Sequence, residues 1–369
     1  YPRVGARMLP AARIKETPED FVVEEIPAYE PSGEGGHLFV RFTKRNRTTD
    51  DAVRSIARAL GADVRDIGVA GLKDKVAVTT QTISVPIPRV AADSGSAFVE
   101  LARALTLDGI TILEARRHPH KLKTGHLAGN RFNIVVRDIP PGSVDEAMAA
   151  LERVAREGLP NAFGVQRFGR ERDNASRAKE WLSGRAPAPR DRRLRRLLWS
   201  ALQAEVFNAV LEARVQDGTW AMPLEGDLVK RRTSGGLFLC ADVQVDRERA
   251  AAGEVSPTGP IVGAKMRWPE GVPGALEHRL AGAMLGESFD LDATRALGEG
   301  TRRALRLWVE DLRVVRGTKE ESTPDTEQRD GIRVYFVLPK GAYATTVLSA
   351  AVAWEQRANP TPEKESENE

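Results

Sequence analysis

Asp74 stands between Lys73 and Lys75 in the stretch "VAGLKDKVAVTTQTISV", Val69 to Val85. A glycine, Gly71, marks the junction there between two strand-like runs. An ionised aspartate held at such a turn can act as a nucleophile on a sugar anomeric carbon or on a base ring. In an extended chain both flanking lysines point away from the aspartate's face. A cation that holds the carboxylate must then come from elsewhere, with Lys15 or an arginine as the candidates. The competing reading is an exposed turn aspartate with lysines for solubility, since aspartate is a common turn residue.

Other residue types with chemical use fall in three stretches. "GNRF" places Asn130, able to read a base edge or hold a loop, two residues before Phe132, able to stack on a base or fill the core. "NAFGVQRFG" gathers Asn161, Phe163, Gln166, Arg167 and Phe168 between glycines. Rings beside an arginine and amides suit single-stranded nucleic acid, and suit equally a hinge whose aromatics pack inward. "LPKGAYATT" joins a strand to a helix, with Gly341 permitting close backbone approach and Thr345 as a helix cap. His118 and His120 have no third ligand nearby and cationic neighbours, so no metal site is expected. "GEGGH" matches neither a P-loop nor a dinucleotide fingerprint, and no serine-hydrolase elbow is found. A cofactor-free reaction is therefore in view.

The elements that must carry these residues can be read from periodicity. An apolar run around Phe21–Val23, the turn "SGEGG" and the alternating "HLFVRFTKR" give a hairpin signal. "TTDDAVRSIARALG" reads as a helix capped by Thr49 or Asp50, with Ala52, Val53, Ile56, Ala57 and Leu60 on one face and Gly61 as its end. "DIGVAG" and "AVTTQTISVPI" are strands, which puts Asp74 on the turn between them, a common setting for catalytic groups. Strand, basic loop and strand follow in "GITILEARRHPHKLKTGHLAGNRFNIVVRDI", then an amphipathic helix ending at Gly158. Beyond Gly158 helices are expected in "NASRAKEWLSG", "RRLRRLLWSALQAEVFNAVLEARVQDG" and "ATRALGEGTRRALRLWV", with a small β piece in "GDLVKRRTSGGLFLCADVQV". "IRVYFVLPKGAYATTVLSAAV" then resumes the character of the first half. The reading is an α+β fold whose sheet domain is interrupted and later completed.

The chain has 369 residues, 41% hydrophobic and 29% charged, a globular composition of a length that suggests two domains. No apolar run is long enough to span a bilayer, and the first residues do not read as a secretory signal. The first residue is Tyr1 rather than methionine, which suggests a trimmed start. The only cysteine, Cys240, excludes an intrachain disulfide, and a cytoplasmic location is expected. Net charge is only +3, yet basic residues concentrate in Arg116–Lys123 and Arg190–Trp199. Such patches suit a polyanion such as RNA, or are solvated helix faces. The acidic tail "TPEKESENE" reads as disordered.

Taken in order, "PEDFVVEE", "SGEGGHLFVRFTKRNRTTDDAV", "GLKDKVAVTTQ", "RRHPHKLKTGHLAGNRF", "NAFGVQRFG", "SPTGPIVG" and "LPKGAYATTVL" resemble the TruD family, the tRNA pseudouridine-13 synthases. The resemblance runs from about Lys15 to about Val352. It implies isomerisation of uridine to pseudouridine in tRNA, at position 13 of the D-arm, without metal or cofactor. It implies a pseudouridine-synthase catalytic domain on a mixed sheet, residues 1–157 and 309–358, interrupted by a mainly helical TRUD insertion domain at 158–308; the disordered tail at 359–369 is extra to the family. The family's catalytic aspartate maps onto Asp74, its Asn and Phe onto Asn130 and Phe132, and a lysine upstream of "PEDF" onto Lys15. Asn161, Phe163, Gln166 and Arg167 are candidates for substrate binding. Arg116, Arg117, Lys121, Lys123, Arg192, Arg193, Arg195 and Arg196 are candidates for RNA phosphates, the last four having pairing with acids on neighbouring helices as their alternative. Gly36 stands where relatives often have an acid, and the acidic segment "TKEESTPDTEQ" is extra. The expected partner is tRNA, the expected state a monomer, and the alternative function a non-catalytic RNA-binding or RNA-folding module.

This chemistry asks for one carboxylate. The N1–C1′ bond breaks, the base turns and C5 joins C1′. Glycosidases need two carboxylates because water enters the product; an isomerisation does not take up water, and a pocket closed to solvent retains the free base. The uracil must leave its stack first, at a cost of a few kcal/mol.

Overall fold

The structure, a computed structural model, describes residues 9–88, 95–169, 171–286, 289–317 and 331–356. The acidic segment at 318–328 and the tail at 359–369 lie outside the described residues. Two compact units are formed, one from Leu9–Arg156 with the chain from Val309 onward, the other around Glu157–Trp308.

The first unit is built on a ten-stranded mixed sheet. Its elements in chain order are β1 (Ala11–Ile14), β2 (Phe21–Pro27), β3 (His37–Arg45), α1 (Thr49–Leu60), β4 (Gly68–Val69), β5 (Val78–Pro86), α2 (Gly95–Arg103), β6 (Ile110–His118), β7 (Leu127–Arg137) and α3 (Val144–Glu157). The main strand order, with the late strands β14 (Glu310–Arg316) and β15 (Ile332–Pro339) labelled ahead of their turn, is β14-β15-β7-β2-β5-β3-β6. β2 runs parallel to β5, and β1 runs parallel to the last strand, β16 (Ala353–Gln356). The α+β architecture with a mixed sheet agrees with the sequence.

The expected β2–β3 hairpin does not form. β5 lies between the two strands, parallel to β2 and antiparallel to β3. The glycine-rich turn thus spans a neighbouring strand instead of closing a hairpin. The helix prediction for α1 holds at the apolar face, where Ala52, Val53, Ile56, Ala57 and Leu60 are buried, and at Gly61, whose φ of 65° ends the helix in the left-handed region. Its cap is Thr48, one residue earlier than expected, whose hydroxyl accepts from the Asp51 amide. Thr345 is likewise no cap, since α8 (Ala344–Leu348) starts one residue before it. The core under α1 and α2 gathers Leu38, Val40, Phe42, Ile83 and Val85 from the sheet.

The second unit contains β8 (Leu159–Pro160), α4 (Asn174–Leu182), α5 (Arg192–Gln216), β9 (Leu228–Arg231), β10 (Leu237–Leu239), α6 (Val243–Ala251), β11 (Val255–Ile261), α7 (Gly271–Leu285), β12 (Thr301–Ala304) and β13 (Arg306–Leu307). Its four-stranded sheet has the order β10-β9-β11-β12. "ATRALGEGTRRALRLWV", expected to be helical, instead forms a single 3₁₀ turn followed by β12 and β13. Gly300, with φ of 82°, packs its backbone on Gly263, a contact that a side chain would block. Arg302 then enters the interior to meet Glu277. The sequence does not announce α7, because its glycines and Pro273 hide a helix.

Candidate active site

Asp74 lies on the loop between β4 and β5, and its Oδ2 accepts a hydrogen bond from Lys15 Nζ at 2.9 Å. The lysine side chain is largely buried, at 11% exposure, and the carboxylate is open, at 57%. Among the described residues, then, the Asp74 carboxylate is not closed off from solvent. Lys15 owes its aim to a local distortion. Its φ is 59°, a left-handed conformation that costs an L-residue roughly 1–2 kcal/mol. The distortion is fixed on both sides. Ile14 is fully buried before it. After it the Thr17–Asp20 turn is held by Asp20, which accepts from the Thr17 amide and from Arg137 at 3.0 and 2.6 Å.

The Asp74 loop is fastened from below. The Lys73 amide donates to Thr49 Oγ1 at 2.9 Å, and Thr49 in turn donates to Gln81 Oε1. Lys73 Nζ meets Glu25 Oε2 at 2.7 Å, both side chains buried. Lys44 Nζ donates to the Asp74 carbonyl at 2.8 Å and to the Arg47 carbonyl at 2.6 Å. Lys44 is fully buried, and desolvation pushes its ammonium down to about 8, with Asp74 opposing that shift and Lys73 adding to it. Sequence reasoning missed Glu25, Lys44, Thr49 and Gln81 as members of this site. A signal exists for two of them. Glu25 follows the inward-facing Phe21 and Val23 in period 2, and Lys44 follows Leu38, Val40 and Phe42.

An aromatic layer continues from Lys15. Its ammonium sits over the Phe21 ring at 4.1 Å. Phe21 meets Phe132 edge-on at 6.3 Å, and Phe132 stacks on Phe336 at 5.1 Å. The structure thus brings Lys15, Asp74 and Phe132 into one chain of contacts. Phe132 is only 7% exposed and belongs as much to the core as to any site. Asn130 shares its face of β7, and its Oδ1 is buried without a hydrogen-bond partner among the described residues. A cavity of about 550 Å³ runs along Val22, Phe132, Tyr335 and Arg313, and neither Asp74 nor Lys15 lines it.

Asn161, Phe163, Gln166 and Arg167 belong to the other unit. Asn161 is buried and its amide is engaged at both ends, donating to the Ala304 carbonyl at 2.8 Å and accepting from Arg303 at 2.5 Å. Both ends of the side-chain amide, a candidate for substrate binding, are thus taken up by β12. Phe163 is held by Asn208 through its backbone and carries two guanidinium groups on its ring, Arg303 at 4.2 Å and Arg167 at 5.6 Å. Gln166 lies in a 3₁₀ turn, Val165–Phe168.

The basic candidates divide as well. Arg117 is occupied by the Gly35 carbonyl and Lys121 by the Arg65 carbonyl. Arg116 is exposed and 3.7 Å from Glu114, and Lys123 is exposed. Arg192, Arg193, Arg195 and Arg196 occupy the first turns of α5, and none forms an ion pair among the described residues. Their expected alternative, pairing with acids on neighbouring helices, is therefore not seen there. His118 and His120 have ring centroids 6.2 Å apart, and His118 stacks on Tyr29. Among the described residues no group of three or more His, Cys, Asp or Glu side chains is placed to hold a metal, and no helix is long and apolar enough to cross a membrane.

The chain matches the family model for tRNA pseudouridine synthase D (TruD) over residues 10–187 and 185–350. It is 46% identical to the tRNA pseudouridine synthase D of Anaeromyxobacter sp. (strain Fw109-5), covering 91% of this chain and 90% of that protein. It is 37% identical to that of Thermus thermophilus, covering 95% and 92%. In fold it is similar to the crystal structure of a Methanosarcina mazei protein assigned to tRNA pseudouridine synthase D, with a TM-score of 0.74, 24% identity and 94% of each chain covered.

Proposed function

Because the chain belongs to the TruD family of tRNA pseudouridine synthases, isomerases that act on tRNA, we propose that it converts uridine 13 of the D-arm to pseudouridine with Asp74 as the reacting carboxylate. The observation that carries this reading is the Lys15–Asp74 pair at 2.9 Å, mounted on a loop fastened by Lys44, Lys73 and Thr49. Immobilised geometry of this kind is what a positioned nucleophile or base requires. The open carboxylate leaves room for an extruded nucleotide, and the substrate itself then completes the exclusion of water.

The step conserves atoms. The N1–C1′ bond breaks, C5–C1′ forms, the proton on C5 is lost and N1 gains one. Asp74 meets C1′, C6 or a sugar proton in that sequence, and Lys15 compensates its charge. Asn130 carries a buried Oδ1 with no hydrogen-bond partner among the described residues, an acceptor that could meet an N–H of the base edge only if the side chain turns outward. Phe132, backed by Phe21 and Phe336, supplies an aromatic edge for the base. Phe163 with Arg167 contributes a cation-bearing ring for RNA in the insertion, which we take as residues 158–308, and Arg116, Lys123 and the α5 arginines contribute charge for phosphates. Cys240, a buried free thiol, suits the cytoplasmic setting that belongs to this proposal.

The test is pseudouridine mapping after incubation with unmodified tRNA, comparing the wild type with Asp74→Asn. The expected loss is more than about 1,000-fold in turnover, with tRNA affinity retained. Equal conversion by the variant removes Asp74 from its role. Binding without conversion by either protein favours an RNA-binding or RNA-folding module.

A further inference from the structure

We propose that Lys44 is a positioning residue for the reaction, its buried ammonium holding the Asp74 backbone so that the carboxylate faces Lys15. The inference rests on the assignment of Asp74 as the reacting group and goes beyond it to a residue under the loop. A buried cation ordinarily has a carboxylate partner, because an unpaired charge in the interior is expensive. Lys44 is fully buried and forms no ion pair among the described residues. Its ammonium donates instead to two backbone carbonyls, those of Asp74 and Arg47. The Arg47 guanidinium turns away to Asp51 at 2.7 Å. The cross-strand neighbours of Lys44 are Thr79 and Ile110, neither of which carries charge. The charged groups that face it are therefore Asp74, which favours the ammonium, and Lys73, which opposes it and is itself bound to Glu25.

A neutral amine keeps two N–H donors and could still reach both carbonyls. What only the ammonium adds is a positive charge beneath the carboxylate, and with it stronger, charge-assisted bonds to the loop. The ammonium joins the end of β3 to the middle of the Asp74 loop, so a shift of that loop is resisted at the residue that reacts. Displacement of a reacting group by about 1 Å is enough to lower a rate about 100-fold.

The folded-state ammonium titrates at about 8, against an ordinary 10.5. Two consequences follow with opposite signs. Turnover falls as pH rises through about 8, because the loop loses its charged support. Stability contributed by Lys44 rises between about 8 and 10.5, because the unfolded chain holds that proton more tightly over this window. A residue with a purely structural role would move stability without imposing its titration on the rate.

The experiment uses the full chain with unmodified tRNA, following single-turnover rates from about pH 6.5 to 9.5, a window that brackets the Lys44 titration, alongside tRNA binding and thermal melting. Lys44→Met is expected to lower the rate about 100-fold at neutral pH with tRNA affinity unchanged. Lys44→Arg, which stays charged throughout, is expected to flatten the alkaline fall of the wild type. The proposal is overturned if folded Lys44→Met turns over within about threefold of wild type. It is equally overturned if the wild-type rate has no alkaline fall, or if the fall is unchanged in Lys44→Arg. Should Lys44→Met not fold, the wild-type and Lys44→Arg profiles decide. Asp74→Asn is run beside them: its inactivity with an indifferent Lys44 sinks only the role of Lys44, whereas an active Asp74→Asn sinks the underlying assignment.

Discussion

The Arg214 and Arg302 pairs of the second unit and Lys44 under the Asp74 loop use a buried cation in opposite ways. In the insertion, Arg214 meets Asp227 through two hydrogen bonds of 2.9 Å, and Arg302 meets Glu277 through bonds of 2.6 and 2.7 Å. Both pairs are buried, both are bidentate, and the spare guanidinium donors go to Thr219, Met222 and Thr258. In these two pairs each charge is met inside, whereas Arg306 of the same unit donates to the Glu157 and Ala250 carbonyls. Under the Asp74 loop, by contrast, Lys44 hydrogen-bonds only to carbonyls among the described residues, beside the buried Lys73–Glu25 pair, and Lys15 is largely buried while the carboxylate it meets is open. A closed pair has nothing left to offer a ligand. A half-open arrangement keeps one charged group for an incoming molecule, and the protein carries the desolvation of the lysines to keep it there.

The largest expected effect tests the closed end of this contrast. Glu277→Ala leaves Arg302 buried and uncompensated, and the expected loss is about 3–5 kcal/mol of stability. Equilibrium unfolding in urea measures it. Asp74→Asn alters an open side chain that can still accept from Lys15, and its expected change is about 1 kcal/mol or less. Should Asp74→Asn destabilise the protein as much as Glu277→Ala, the distinction between scaffold and site charges fails.

Phe132 tests the boundary between the two kinds of region. Lying in contact with Phe21 and Phe336 at 7% exposure, it makes alanine a poor probe, because a cavity would lower stability by about 3–5 kcal/mol whatever its role. Phe132→Ala therefore cannot separate a slower turnover from a lower melting temperature, and a gentler substitution is needed. Phe132→Leu keeps most of the volume and is expected to lower stability by about 1–1.5 kcal/mol. If the ring also meets the base, turnover falls roughly tenfold or more, since stacking contributes about 1–3 kcal/mol per base. A drop in stability with full turnover would return Phe132 to the core.

Much of this is legible in the sequence, and the reasons for the remainder are physical. Asp74 on a turn between strands, and the apolar face of α1, follow from local periodicity, which a single strand or helix declares by itself. Glu25 and Lys44 interrupt an apolar alternation, so they are legible as inward-facing charges, but not as supports of one loop. Which buried group meets which depends on strand order. β5 lies between β2 and β3, and Phe336 reaches Phe132 from a strand that arrives only after the insertion. Local pattern carries no information on that pairing. The stretch from Asp292 to Leu307 misleads for a different reason. Alanine, leucine and arginine spaced as in a helix are overridden by glycines at 298 and 300 and by a buried partner for Arg302.

The smallest expected effect concerns the start of α5. Asp191 caps the helix by accepting from the Arg193 amide at 2.8 Å, and no acid follows it in the first turn. Arg192 and Arg193 stand there instead, where the helix dipole disfavours positive charge by about 0.3–1 kcal/mol each. Neither finds an ion pair among the described residues to offset this. Local electrostatics alone would then predict that Arg192→Gln with Arg193→Gln leaves the protein as stable as before or slightly more so. If the two arginines meet phosphates, the same change weakens tRNA binding and reduces the salt slope by about 0.7–0.9 for each phosphate they neutralise. Stability and affinity must therefore move apart. A double variant that loses both would make these arginines part of the scaffold, like Arg302; one that changes neither would make them an ordinary solvated face.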